Sequence, residues 1–263
     1  MVDNVFPSKL PAIIINTDKD STKSLKSQLP MKTIDLDRVQ GNSIEINDPK
    51  IVGSVAYDTI IKGAKNLYEY GSLEQVADTL THLKAWYAIL DSGAPAAWVF
   101  SDKIAIPSGF FDKVDVAYKM YPLMDAYSQW DLWLFNYDGI LESTPAPVFG
   151  KDMILVEGFR GMYAYMITRG AILKLLPHIL PTQTNIDHFI STTIGQYAIN
   201  VIAVKGIQVQ PAATTVPAMF ESFKYKSKKS KKGSKTARRA IIGTVVVICL
   251  YLIAENAGMI KKK

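Results

Sequence analysis

An acidic and a basic residue stand side by side just after a strongly apolar run in the middle of the chain. The run is Trp98–Phe100, and Asp102 and Lys103 follow it after a single serine. Such a run is typical of a strand that is buried on both faces of a sheet. In open α/β sheets, ligands bind in the crevice outside the carboxyl ends of the strands. The sequence therefore predicts a carboxylate and an ammonium at a candidate ligand site.

Few other groups in the sequence have the spacing that a reactive site requires. The 263 residues include three histidines and a single cysteine, Cys249, so no disulfide can form within the chain. The sequence contains no glycine-rich phosphate loop, no cluster of His and Cys with metal-ligand spacing, and no Ser–His–Asp arrangement. The question of function therefore centres on whether Asp102 takes part in chemistry.

The elements that would position these residues alternate between strands and helices. Apolar residues from Leu73 to Leu90 lie at helical spacing, and the helix that they predict ends near Gly93, a natural C-terminal signal. Besides the run at Trp98, four short apolar runs predict strands, namely Ala12–Asn16, Thr33–Leu36, Trp130–Phe135 and Val201–Val209. This alternation predicts one doubly wound α/β domain over residues 1–223.

Seven short motifs follow one another between Ile13 and Pro211. They are Ile15-Asn16, Leu80-Thr-His82 with Trp86, Trp98–Ile104, Phe110-Phe111, Trp130-Asp131, Tyr165–Ala171, and Ile186-Asp187. In type and order they resemble glycosyltransferase family 25, the group of lipopolysaccharide-biosynthesis and procollagen galactosyltransferases. The resemblance implies a GT-A-like fold, in which a Rossmann-like mixed sheet is flanked by helices. It also implies transfer of a hexose from a nucleotide-sugar, a UDP-hexose, to a glycan or protein acceptor.

The resemblance suggests a role for five residues of this sequence, and the sixth candidate is Lys103, which stands where the family has an acid. Asn16, Lys23, His82 and Asp102 would bind the nucleotide-sugar, and Asp187 would bind the acceptor or act as the base. Lys103 would neutralise the leaving diphosphate, a task that a protein cation can perform. Purely structural roles stay open for two of them. His82 could be a partly buried helix residue, and Asp187, in the first turn of a helix, could stabilise the helix dipole.

The chain departs from the family where the family has Glu-Asp-Asp, because the sequence here is Ser101-Asp102-Lys103. A catalytic divalent cation needs closely spaced oxygen ligands that also leave room for the diphosphate. One carboxylate beside an ammonium makes a poor Mn²⁺ or Mg²⁺ site, with Asp102 as its one candidate ligand. Two hypotheses follow: a transferase in which Lys103 replaces the metal, or a catalytically inactive scaffold, a pseudoenzyme of a membrane complex or a virion.

The last forty residues differ sharply in charge from the rest. Residues 1–223 carry 18 basic and 23 acidic side chains, whereas Lys224–Arg239 alone contains nine Lys or Arg. Ala240–Ile260 follows with one charged residue, Glu255, and as a helix its 21 residues would span about 31 Å. That length matches the hydrocarbon core of a bilayer.

This pattern predicts a single-pass C-terminal membrane anchor at residues 240–260, preceded by a basic juxtamembrane linker at residues 224–239. The basic linker would contact anionic lipid headgroups and, by the positive-inside rule, would place the body on the cytoplasmic side. A basic run without interleaved aromatic residues, apart from Tyr225, does not favour nucleic acid as a partner. The membrane could belong to a cell or be the inner membrane of a virion.

Overall fold

An eight-stranded mixed sheet runs through the middle of the structure, a computed structural model that describes residues 6–63, 70–120, 130–137, 139–142 and 152–211. The strands within these described residues are β1 (Ala12–Asn16), β2 (Thr33–Asp37), β3 (Ala96–Ser101), β4 (Ile104–Ala105), β5 (Leu132–Asn136), β6 (Gly139–Glu142), β7 (Met153–Arg160), β8 (Ala164–Thr168), β9 (Val201–Val204) and β10 (Gln210–Pro211). The order in the large sheet is β2-β1-β3-β8-β5-β9-β7-β6, and β4 pairs separately with β10.

Most strands of the sheet point the same way. Strand β1 is parallel to both β2 and β3, and β5 is parallel to β9. Strand β8 lies antiparallel between β3 and β5, and β7 is antiparallel to β9. The start of β8 therefore lies at the same edge of the sheet as the carboxyl ends of β1 and β3. This is the edge of the sheet at which the sequence predicts a ligand site.

The described residues include six α-helices, of which five pack on the two faces of the sheet and one, Ser54–Lys62, packs in a separate apolar cluster. The six helices are α1 (Lys19–Lys26), α2 (Ser54–Lys62), α3 (Leu73–Ser92), α4 (Phe110–Met120), α5 (Arg169–Ile179) and α6 (Ile186–Thr193). Helix α3 ends where Gly93 adopts a left-handed conformation with φ of 70°, which costs glycine little because it has no Cβ atom.

Alternation along the strands divides the core into two layers. In β1, Ile13 and Ile15 face the core layer that contains apolar side chains of α3, α5 and α6, whereas Ala12 and Ile14 face the layer with those of α1 and α4. Because successive side chains of a strand point to opposite faces, a fully apolar strand must be covered on both sides. Burial of Ala12–Ile15 on both faces explains why this run is continuous rather than alternating.

The predicted fold class is confirmed as an α/β fold with a mixed sheet flanked by helices. The apolar runs at Ala12, Thr33, Trp98 and Trp130 become β1, β2, β3 and β5 within a few residues of the predicted bounds. All four tryptophans are core residues, as their positions in apolar runs and on the helix face indicate. The GT-A-like type of the fold stays a prediction.

The prediction of one strand over Val201–Val209 is wrong. Strand β9 ends at Val204, a turn follows, and the chain pairs again only from Gln210 in β10. The break occurs at Gly206, which has a φ of 76° that a strand cannot contain. The apolar residues Ile207 and Val209 are nevertheless buried, because they pack in the layer with α1 and α4. Burial rather than strand pairing therefore accounts for the apolar character of this stretch.

The C-terminal predictions fall on residues beyond 211, outside the part of the chain that the structure describes. This applies to the domain boundary at residue 223, the basic linker at residues 224–239 and the anchor at residues 240–260. Among the helices that are described, none combines the length and the apolar character needed to cross a membrane.

Candidate functional site

Asp102 lies one residue beyond the end of β3 and is almost completely buried, with 2% of its surface exposed. Its Oδ2 atom accepts hydrogen bonds from the backbone N–H of Thr17 at 2.7 Å and of Asp18 at 2.8 Å. The hydroxyl of Thr17 donates to Oδ1 at 2.7 Å, and that of Thr22 approaches Oδ2 at 3.3 Å. Both carboxylate oxygens therefore bind the turn between β1 and α1.

The sequence explains why this turn needs a buried anion. Asp18 is the N-cap of α1, and its side chain accepts the N–H of Ser21 at 2.9 Å. The backbone N–H groups of Thr17 and Asp18 precede the helix and have no partner within it, and a hydrogen bond to a charged acceptor contributes about 1.5–3 kcal/mol. Asp102 supplies the missing acceptor from a neighbouring strand. Its carboxylate thus holds the chain in place immediately after β1.

Asn16 and Lys23 lie on the same side of the turn. Asn16, the last residue of β1, donates from Nδ2 to Asp37 at 3.1 Å and accepts the hydroxyl of Thr22 at 2.9 Å. An open depression of about 490 Å³ beside α1 is lined by Asn16, Lys19, Thr22, Lys23, Lys26 and Asp35. Lys26 is paired with Asp35 at 2.9 Å, whereas Lys19 and Lys23 form no ion pair within the described residues.

Lys103 is exposed and follows Asp102 in the short connection to β4. Its ammonium lies within electrostatic reach of Asp78 on α3. Asp78 itself accepts a hydrogen bond from Arg38 Nε at 2.7 Å, and Arg38 also pairs with Glu74 at 3.2 Å. Arg38 carries one positive charge against these two carboxylates, and Lys103 contributes further positive charge near Asp78. Lys103 forms no direct ion pair among the described residues, so its exposed ammonium is one cation available to an anionic ligand at the end of β3.

His82 lies on α3 and faces β8. Its Nδ1 atom is 2.9 Å from the hydroxyl of Tyr165. The same hydroxyl accepts the indole N–H of Trp86 at 3.0 Å. Burial lowers the pKa of His82 to about 4, against a smaller opposite effect of the nearby Asp187 carboxylate. The imidazole is therefore neutral at physiological pH. The predicted structural role and the predicted ligand-binding role are both compatible with this position.

Asp187 lies in the first turn of α6 and binds the chain just before β8. Its Oδ2 atom accepts the N–H of Gly161 at 2.8 Å, and its Oδ1 atom accepts the N–H of His188 at 2.8 Å. Gly161 has a φ of 88°, a conformation that residues with a Cβ atom rarely adopt. Each oxygen keeps a second lone pair, so the carboxylate retains capacity for a ligand.

The six predicted residues form two groups at one edge of the sheet. Asn16 and Lys23 lie beside α1, and the buried Asp102 supports their turn. His82 and Asp187 lie on the side of α3 and α6, where they interact electrostatically, and Lys103 lies close to Asp78 of α3. The structure therefore brings the residues to the carboxyl ends of β1 and β3 and the start of β8, but it does not place all six in one contact network.

The residues at the end of β3 do not fit the divalent cation that the family resemblance implies. Both oxygens of Asp102 already accept protein donors, Ser101 offers only a hydroxyl, and Lys103 is a cation. Within the described part of the chain, no group of three or more His, Cys, Asp or Glu side chains could hold a metal ion. No step of a reaction is therefore assigned to a metal at this position.

Several residues of the site were not predicted from the sequence. Thr17 contacts Asp102 across 85 residues of sequence and Thr22 across 80, and Tyr165 binds His82 across 83. One of them, Thr22, is a polar residue that lies between Lys19 and Lys23 in a short helix and is buried in the fold. Its burial follows from the fold and is not visible in the residue types alone.

Searches of protein-family models and of curated protein sequences find no match to this chain.

Proposed function

We propose that the chain is a glycosyltransferase-like protein that binds a UDP-hexose at the carboxyl ends of β1 and β3 without a divalent cation. Transfer of the hexose to a hydroxyl of a glycan or protein acceptor is the reaction that such a site would serve. The observation that carries the proposal is the position of the six predicted residues. Asn16, Asp102 and Lys103 end or directly follow β1 and β3, at the edge of the sheet where α/β proteins bind ligands, and the other three lie on α1, α3 and α6.

Lys103 takes the place of the metal in this proposal. The diphosphate of a nucleotide-sugar carries two negative charges that must be balanced as the hexose departs. The ammonium of Lys103 is exposed, and the neighbouring carboxylate of Asp102 is buried and accepts hydrogen bonds from neutral donors, so the ammonium is free to approach that diphosphate. Asp102 holds the turn that follows Asn16. Within the described residues Asp102 forms no direct ion pair with Lys103, so it does not neutralise the ammonium.

Asp187 is the residue proposed to face the acceptor. Its carboxylate lies within electrostatic reach of His82 and His188, and burial lowers the pKa of both imidazoles, which favours their neutral forms. A carboxylate in this position can accept the proton of an attacking hydroxyl, as general-base catalysis requires. The hydroxyl oxygen would then form the bond to the sugar while the bond to the diphosphate breaks, and the electron pair would leave on the UDP.

Calorimetric titration of the full-length chain with UDP-galactose and UDP-glucose tests the donor site. We expect binding in the presence of EDTA, and we expect Lys103→Ala to weaken it about tenfold because one ammonium–phosphate interaction is lost. Lys113→Ala, which removes an exposed lysine of α4, is the matched control and should change the affinity less than twofold. Equal weakening by both substitutions would contradict a specific role for Lys103 and would indicate only a change in overall charge.

The second candidate function is that of a catalytically inactive scaffold derived from a glycosyltransferase. One observation favours it: both oxygens of the surviving carboxylate of the acidic motif bind the turn after β1. A carboxylate that stabilises the fold can be retained in a protein that binds no ligand. A full-length chain that releases no heat with either UDP-hexose, and that gives an unchanged melting temperature, would support this alternative.

We also propose that residues 240–260 anchor the protein in a membrane and that residues 224–239 bind anionic headgroups. The support lies in the length of the apolar run and in the nine basic residues before it. In co-sedimentation with phosphatidylcholine vesicles, the full-length chain should remain bound at high salt, and deletion of residues 224–263 should abolish binding. Binding that requires phosphatidylserine and is lost in high salt would show a peripheral basic contact instead of an anchor.

A further inference from the structure

Three side chains form a continuous hydrogen-bonded row between α3 and β8. The indole N–H of Trp86 is 3.0 Å from the hydroxyl oxygen of Tyr165, and that oxygen is 2.9 Å from Nδ1 of His82. Trp86 and Tyr165 are fully buried, whereas the ring of His82 is partly exposed. The row therefore leads from the core to the surface of the candidate site.

The direction of each hydrogen bond follows from the chemistry of the groups. An indole nitrogen can only donate, so Tyr165 accepts from Trp86. If Nδ1 of His82 also donated, the Tyr165 oxygen would accept both hydrogen bonds. The hydroxyl hydrogen of Tyr165 would then need a further acceptor. None of the described residues provides one, and a buried hydroxyl hydrogen without an acceptor costs about 1–3 kcal/mol. Tyr165 therefore donates to Nδ1, and the ring hydrogen of His82 lies on Nε2.

Nothing in the described part of the chain occupies that second nitrogen. Nε2 of His82 has no hydrogen-bond partner among the described residues, and the ring is reached by solvent. Asp187 of α6 acts on the ring electrostatically, and burial keeps the ring neutral. The ring thus presents a neutral N–H donor of fixed direction next to a carboxylate.

We propose that Trp86 and Tyr165 are positioning residues that hold His82 in the Nε2–H tautomer, so that His82 donates a hydrogen bond to an oxygen atom of the bound nucleotide-sugar. The identity of the ligand rests on the proposed function, whereas the tautomer does not. A phosphoryl oxygen and a sugar oxygen are both acceptors of the required kind. In either case the donor is fixed before the ligand arrives, which avoids the cost of orienting it on binding.

The tautomer can be measured in the free protein by long-range ¹H–¹⁵N NMR on full-length chain labelled at histidine. The chain has three histidines, so the His82→Gln spectrum identifies the signals of His82 by their loss. We expect Nδ1 to resonate as an unprotonated nitrogen and Nε2 as a protonated one at pH 7. Tyr165→Phe should shift His82 toward a mixture of tautomers, whereas Tyr197→Phe, which removes the hydroxyl of a ring that stacks on His178, should not. A protonated Nδ1 in the wild-type protein would overturn the proposal without any substitution.

Ligand titrations test the second half. His82→Gln should weaken UDP-hexose binding about tenfold, the effect of one hydrogen bond from a preformed donor. Equal weakening for UDP would assign the bond to a uridine or phosphoryl oxygen, and weakening for UDP-hexose alone would assign it to a sugar oxygen. Unchanged affinity for both ligands would overturn the donor role while the proposed function stands. A wild-type chain that binds neither ligand would overturn the donor role together with the proposed function, and the NMR result would still decide the tautomer.

Discussion

His82 and Asp187 show how burial and neighbouring groups change what a side chain can do. An isolated histidine is partly charged near neutral pH, but burial lowers the pKa of His82 to about 4, so this partly exposed residue is neutral there. Its neutrality leaves the Asp187 carboxylate without a cationic neighbour on that side. The pair therefore offers one neutral donor and one anionic acceptor, which is a suitable arrangement for groups that handle a sugar hydroxyl.

The low pKa of His82 predicts a pH dependence of stability. An unfolded histidine takes up a proton near pH 6.5, whereas folded His82 does so only near pH 4. Between these values the unfolded chain binds more protons, so stability should fall as the pH falls from about 6.5 to 4, by up to about 3 kcal/mol. Denaturant unfolding at pH 7 and at pH 4.5 measures this loss. His82→Gln should reduce it by about 2 kcal/mol, and a full loss in this variant would contradict the assignment.

His178→Gln is the control for that comparison. It removes a histidine that stacks on Tyr197 at a ring distance of 4.3 Å, in a different part of the body. The difference between the two variants isolates the contribution of the buried site from that of a lost histidine in general. Carboxylates contribute to acid unfolding of all three chains and cancel in the comparison.

The turn between β1 and α1 depends on a residue from another element. Asp102 accepts two backbone N–H groups and the hydroxyl of Thr17 from this turn, and these hydrogen bonds hold the conformation of the turn. Asp102→Ala should lower the free energy of unfolding by about 3 kcal/mol, since it leaves these donors without an acceptor. Asp102→Asn keeps one oxygen and should lower it by about 1 kcal/mol. Thermal and denaturant unfolding measure both.

Thr22 offers a smaller change in the same turn. Thr22→Val keeps the shape of this buried side chain and removes the hydroxyl that Asn16 accepts, so a loss of about 1 kcal/mol is expected. Thr22→Ser keeps the hydroxyl and serves as its matched control.

If Asp102→Ala were as stable as the wild-type protein, the carboxylate would have to be held in place for a ligand and not for the turn.

The strongly apolar elements were predictable because burial on both faces leaves a continuous signal. Strands β1, β3 and β5 and helix α3 belong to this class. Helix α2 was not predicted, since its nine residues pack in a small separate cluster and expose Val55 and Ile61 to solvent. A short helix with apolar residues on its outer face has no clear helical period.

The candidate site was predictable only as a set of residue types at strand and helix ends. The position of Asp102 after a buried strand gave its place at the sheet edge, but not the donors that surround it. Those donors lie on a turn more than 80 residues earlier, and only the parallel pairing of β1 with β3 brings them together. The same is true of Tyr165, which reaches His82 because β8 lies next to β3. Contacts of this kind depend on the tertiary structure.

Considered as one molecule, the chain combines an acidic α/β body with a strongly basic C-terminal segment. Residues 1–223 have five more acidic than basic side chains, and Lys224–Arg239 has nine basic ones. The overall basic pI of about 9.1 therefore describes the tail and not the ligand site. If the tail binds a membrane as proposed, a sugar-transferring body would be concentrated at that surface, close to acceptors that are themselves membrane-bound.

The most direct test of the central claim is a calorimetric titration of the full-length chain with UDP-galactose and UDP-glucose, in EDTA and again in Mn²⁺. The claim that Lys103 replaces the metal predicts binding of at least one donor with a Kd that differs less than about threefold between the two conditions, since no cation bridges protein and diphosphate. Binding that appears only with Mn²⁺ would contradict it, because Asp102 would then have to leave its turn to ligate the ion.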